Sequence, residues 1–408
     1  MSSARRNPWF IASMGAVLQM CLGTVYAWSF FQKPLVAAYG WSNAGTAWVF
    51  SIAICCLGLA AAWGGPRLDR FGPRRMAMTG GFLFGLGYLI GGIALSIKSL
   101  PLLYIGYGII GGCGLGLGYV TPVATVAKWF DRSKGLATGM VIMGFGFGAL
   151  LMSKILAPAM LSFTDGSLVK VFLLLGAFFI VAAPAAGYFI VNPPTYRPAA
   201  NASVSAGSAL RSRAFLTLWF VFFCNIAAGI SIISFQSPLL QDLFRAKDPS
   251  LSAAALAAYG GTLIAVSSIF NGLGRFFWGA VSDRIGRANA FRIMLATQLI
   301  VFAALIVTKN PIVFCLLICY VLLCYGGGFG TMPSFVNTVF GSTLMPAVYG
   351  AVLTAWSAAG IVGPQIIAAI KDRAPESAAA WSFAVSTGIL AAGLLASLTL
   401  RDRTADIG

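Results

Sequence analysis

Gly65-Pro66-Arg67-Leu68-Asp69-Arg70-Phe71-Gly72-Pro73-Arg74-Arg75 stands between two long apolar runs, and Gly279-Ala280-Val281-Ser282-Asp283-Arg284-Ile285-Gly286-Arg287 stands between two others. Both read G-x-x-x-D-R-x-G and run on into a basic residue. They lie 214 residues apart in a chain of 408, so the chain repeats itself at about half its length. Such repetition marks membrane folds built from related halves. Glycine permits a tight turn. Each aspartate can accept hydrogen bonds from the amide end of the next helix and pair with a nearby arginine. A clasp of this kind would join two helices in one conformation and release them in another. One copy would read as an ordinary basic turn. Two copies at matching places point to a conformational gate built from Gly65, Asp69, Arg70, Gly72, Asp283, Arg284 and Gly286.

The flanks carry the reading outward. Of the residues 59% are hydrophobic and 9% charged, against about 25% charged in soluble domains. A chain this apolar needs lipid as its solvent. A spanning helix takes roughly 20 apolar residues, and twelve such runs are found, near 9–32, 44–64, 76–97, 101–127, 135–160, 168–191, 213–241, 253–281, 288–308, 311–337, 346–370 and 377–400. The fold expected is all-α and integral to a membrane. The first run is too long for a signal peptide. Glycines such as Gly111, Gly112, Gly114, Gly116 and Gly118 read first as close helix packing, and only second as bending points.

The net charge of +17 sits in short loops, which speaks for membrane orientation and against nucleic acid. With the N-terminus inside, 17 of the 27 basic residues fall on the inner face, among them Arg5, Arg6, Arg132 and Arg197; nine fall on the outer ends and Arg275 within a span. Both termini are therefore expected in the cytoplasm. The stretch 192–212 opens with Asn192-Pro193-Pro194 and continues through Asn201, Ser203 and Ser205. It reads as a cytoplasmic linker between a six-helix half at 1–191 and another at 213–408. The eight cysteines lie in apolar runs and the chain has no histidine. Small core residues are the expected reading, with no disulfide, metal site or cofactor.

These features resemble the major facilitator superfamily, whose loop signature the two quoted stretches match. Lys128-Trp129-Phe130 with Lys134-Gly135-Leu136-Ala137, and Phe270-Asn271-Gly272-Leu273-Gly274-Arg275-Phe276-Phe277-Trp278-Gly279, are similar to the branch of oxalate/formate exchangers and monocarboxylate transporters. The resemblance covers essentially all twelve spans and is nearest to bacterial L-lactate/proton transporters of the monocarboxylate type. It implies a two-half transporter fold, a small carboxylate cargo, a coupled proton, and a monomer in a bacterial inner membrane.

Arg275 stands eight residues before Asp283, about 12 Å of helix, near the middle of a core roughly 30 Å thick. A cation there costs at least ~2.5 kcal/mol, so it should face the bundle interior. A structural arginine held by carbonyls or water is the plain alternative. All ten acids, from Asp69 to Asp406 and including Asp131, Asp242, Asp372 and Glu376, fall at loops or termini. The natural counter-ion is then the cargo, and a guanidinium fork fits a carboxylate. The resemblance gives this arginine the same role.

Around it we place Tyr119, Tyr325, Phe329, Trp356 and, more weakly, Tyr26, against the ordinary reading of each as helix packing. Tyr119, Tyr325 and Phe329 match site-lining positions of the resembling branch. Dicarboxylate exchangers of that branch carry a lysine where Trp356 stands, so one cation favours a monocarboxylate. Animal members carry an aspartate where Asn271 stands, one turn from Arg275 on the same face. Their first-span lysine aligns with Phe30, and Lys33 is expected outside the core. These departures leave proton symport and anion exchange both open. A receptor would be expected to add a soluble signalling domain, and a membrane-embedded enzyme to need interior nucleophiles, acids or metal ligands; neither pattern is read in this sequence, so a transporter is the expected class.

Overall fold

The structure is a computed structural model that describes residues 7–130, 134–196, 206–374 and 377–403. Its regular structure is helical throughout. Twelve helices are long and apolar enough to cross a membrane. They are α1 (Pro8–Tyr39), α2 (Asn43–Phe71), α3 (Pro73–Ser96), α4 (Leu100–Val126), α5 (Ala137–Phe163), α6 (Leu168–Gly187), α7 (Arg213–Lys247), α8 (Ala253–Ile285), α9 (Arg287–Val307), α10 (Pro311–Gly341), α11 (Ala347–Arg373) and α12 (Ala378–Ser397). Each coincides with one expected run. Arg5, Arg6, Asp131, Arg132, Arg197, Asn201, Ser203, Ser205, Glu376 and Asp406 lie outside the described residues.

One correction concerns the helix ends away from the repeated motif. There α1 runs on to Tyr39, α7 to Lys247 and α11 to Arg373. Lys33, Asp242 and Asp372 therefore sit on helices, not in loops. Lys33 and Asp242 pair with each other, and Asp372 accepts from Asn43 and Ala44 at the start of α2, so these polar residues are satisfied on helices that continue past the apolar stretch.

Packing follows from the small residues. Gly108, Gly112 and Gly116 recur every four residues on α4, and a Cβ at each would meet Ile52, Ala53 or Leu57 of α2. Gly80 and Gly87 of α3 press in the same way on Gly118 and Gly111. The glycine row is thus a close-packing device, which lets backbones approach where lipid offers no hydrophobic drive. Most of α1 and α7 is buried, whereas α6 and α12 face mainly outward with apolar side chains such as Val181 and Leu395. The first six spans meet the last six where α2 packs on α11, α5 on α8 and α1 on α7. At the α5–α8 crossing Gly146 and Gly272 bring the backbones together. Near its middle α1 tightens into a 3₁₀ turn, Thr24–Ala27, just after Gly23 lodges against the Phe145 carbonyl of α5. That turn sets Tyr26 at the centre of the bundle.

Candidate functional site

Asn271 and Arg275 lie one turn apart on α8. On α10, Gly326 and Gly330 rest on the carbonyls of these two residues, with no room for a Cβ. The backbone of α8 is pinned where Arg275 departs. Arg275 is 1% exposed and is the one charged side chain in the interior among the described residues. Its Nη1 donates to the Tyr119 hydroxyl at 3.5 Å, a long contact. Its Nε and Nη2 have no protein partner. Aromatic faces supply part of the compensation, Phe329 at 4.9 Å and Phe145 at 5.8 Å from the guanidinium carbon. The described ion pairs lie at the bundle's two ends and none includes Arg275.

All seven residues expected around the site fall in one central cluster. The Tyr26 and Tyr325 hydroxyls are 2.6 Å apart and bridge the halves. Trp356 packs edge-on against Phe329 at 4.6 Å and Tyr119 at 5.2 Å, and against Tyr26 at 6.2 Å. Asn271 is buried with Oδ1 unpartnered. It lines a cavity of about 10 Å³ with Tyr26, Gln236, Ser267 and Ser268, about the space of one water. The centre is closed in this conformation. The large groove beside Phe270, Leu273, Phe276 and Phe277 is on the apolar outer surface of α8.

Sequence reading passed over Phe145, Tyr349, Gln236 and Ser267. Phe145 touches Tyr26 at 5.0 Å and Tyr119 at 5.2 Å. Its signal was Gly144-Phe145-Gly146-Phe147-Gly148. Gly144 presses on Ala16 and Gly148 on Gly23, so α5 sits tight on α1 and sends Phe145 inward. Gln236 accepts from Ser267 at 2.7 Å; both are polar residues inside apolar runs, a signal available from hydropathy alone.

The repeated motif folds partly as expected. Gly72 and Gly286 have φ of +80° and +88°, which a side chain would strain. Asp69 accepts from Lys128 Nζ at 2.7 Å and from the Tyr196 hydroxyl at 2.8 Å. Burial and the nearby carboxylate push that phenol up to about 12, so it stays the donor. Asp283 pairs with Arg287 at 2.8 Å. It does not cap α9. Asp402 does, accepting from the amides of Arg287 at 3.0 Å and Ala288 at 3.2 Å. Arg70 lies over the Phe71 ring, and Arg284 borders the outer groove of α8.

At the end opposite the motif, polar contacts join the two halves. Asp242 of α7 takes Lys33 of α1 at 2.7 Å and also Lys371 of α11. Asp372 accepts from the α2 amides of Asn43 at 3.0 Å and Ala44 at 2.8 Å. Lys154 of α5 donates to Thr262 of α8 at 2.7 Å.

A profile described as Major Facilitator Superfamily matches residues 9–364. The chain is 27% identical over 378 residues to the oxalate:formate antiporter of Oxalobacter formigenes, covering 90% of this chain and 86% of that one. It is 29% identical over 149 residues to monocarboxylate transporter 13 of Bos taurus, covering 36% and 34%. The crystal structure of a D-xylose-proton symporter superposes with a TM-score of 0.75 at 15% identity, covering 98% of both chains, and shares the fold. On the profile match over most of its length, the chain belongs to the Major Facilitator Superfamily.

Proposed function

We propose that this protein carries small monocarboxylates of the L-lactate kind, with a proton, across a bacterial inner membrane by alternating access. Residues 1–191 and 213–408 would rock as two bodies about Arg275, joined by 192–212, with both termini cytoplasmic and one chain as the working unit. The observation that carries this reading is the Arg275 guanidinium, buried inside the bundle with Nε and Nη2 unpartnered by protein. A carboxylate offers about four lone-pair sites in a plane and meets such a fork. Tyr119, Tyr325, Tyr26 and Asn271 would hold its oxygens and any 2-hydroxyl. Phe329 and Trp356 would wall a short alkyl tail. The named relatives, an oxalate:formate antiporter and a monocarboxylate transporter, support an organic-anion cargo. The gate motif would set which end is open.

Exchange is the second reading, and one observation favours it. The described interior holds Arg275 but no acid, and the chain has no histidine, so a bundle without anion would return with its charge uncompensated. Uptake of labelled L-lactate into proteoliposomes tests both. Accumulation in empty vesicles under an imposed pH gradient supports symport. Accumulation only in vesicles preloaded with anion supports exchange. Uptake in neither would defeat transport of this cargo.

A further inference from the structure

We infer that Tyr349 is a third carboxylate-binding group beside Arg275 and Tyr119, on the side of the site that faces the repeated motif. This rests on the transport reading above. Tyr349 lies in the first turn of α11, seven residues before Trp356 and so on the same helix face. It is 3% exposed, and its hydroxyl has no hydrogen-bond partner. Its hydroxyl lies within interaction range of the Tyr119 hydroxyl and within electrostatic range of the Arg275 guanidinium, and makes no hydrogen bond of regular geometry to either.

The position is fixed by packing. Gly350, the next residue, lies against Ala61 and Ala62 of α2. Trp219 of α7 donates to Thr354 at 2.8 Å and holds the next turn. Three buried donors in this part of the bundle have no acceptor in the protein: Arg275 Nε, Arg275 Nη2 and the Tyr349 hydroxyl. Buried donors without acceptors are unfavourable. An acceptor-only group with two oxygens satisfies all three at once, which a carboxylate does and a neutral alcohol does not. Tyr119 belongs to the first six spans and Tyr349 to the last six. The two hydroxyls would close on the anion from opposite halves and part when the motif end opens.

Tyr349→Phe removes only the hydroxyl. Binding of L-lactate and of formate to the purified full-length protein should be measured by ligand titration, alongside the thermal midpoint without ligand. Both ligands should bind at least about tenfold more weakly, about 1.4 kcal/mol, with the unliganded midpoint unchanged. Equal affinity for both ligands overturns the inference, whether or not the midpoint falls. Weakening of L-lactate alone also overturns it, because the hydroxyl would then meet the 2-position and not the shared carboxylate. If the unaltered protein binds neither of these anions, nor acetate, pyruvate or oxalate, the transport reading itself fails and this inference falls with it.

Discussion

Arg275 places a guanidinium in the bundle interior, where any uncharged residue would be easier to bury. Truncating one partner of a buried, hydrogen-bonded charge pair costs about 2–5 kcal/mol. Arg275→Gln should therefore weaken L-lactate binding at least about thirtyfold, read by the same titration; affinity within a factor of three would remove the anion from this residue. Trp356→Lys tests charge counting. Trp356 is wedged among Phe329, Tyr119 and Tyr26, so a lysine there brings a second cation into the centre. Competition binding should then turn the preference from L-lactate toward oxalate, and an unchanged ratio would mean that shape, not charge, selects the cargo. Arg275 was legible in the sequence because a charge in an apolar run is costly and rare. Its aromatic neighbours were only partly legible. Phe145 and Tyr349 look like any of the chain's 31 phenylalanines and 12 tyrosines until the helices are assembled.

Between helices, glycines decide where the site stands. Gly330 rests on the Arg275 carbonyl, so a methyl group there must push α10 off α8. Gly330→Ala should lower stability by about 1–3 kcal/mol, the usual cost of overpacking. It should also weaken anion binding, because Arg275 moves with its backbone. Gly388 of α12 has open space around its Cβ position, and Gly388→Ala should leave both properties unchanged or raise stability slightly. Thermal midpoints and titrations of the two variants check this; equal behaviour would sink the packing argument. At this scale hydropathy located each span well, since lipid exposure imposes one rule on every helix. It failed at the ends of α1, α7 and α11. There, helical residues are held by partners such as Lys33 and Asp242, 209 positions apart, which no local window can see. The motif reading missed the cap of α9 for the same reason, because that cap comes from Asp402, more than a hundred residues beyond Asp283.

The whole molecule is clasped at the end away from the motif. Lys33 rides on the first half; Asp242 and Lys371 ride on the second. Any separation of α1 from α7 there breaks the Lys33–Asp242 pair and leaves Asp242 with Lys371. Separation of α2 from α11 strips Asp372 from the amides of Asn43 and Ala44. Asp242 is about half exposed, so each of its pairs contributes only about 0.2–1 kcal/mol. The clasp therefore biases closure without locking it, as a carrier that opens every cycle requires. A shift of about 1 kcal/mol changes the ratio of two states roughly fivefold. We predict that Asp242→Asn, and independently Asp372→Asn, raise the share of molecules open at this end by a factor of that order. Spin labels at Lys98 of the first half and Ser250 of the second, both exposed, would report it as growth of a longer-distance population. The label background should replace the partly exposed Cys55, Cys56, Cys113 and Cys315. Distance distributions identical to the parent in both variants and in their combination would show that these carboxylates only decorate the rim. Closure would then rest on the glycine crossings of α5 with α8 and the packing of α2 on α11.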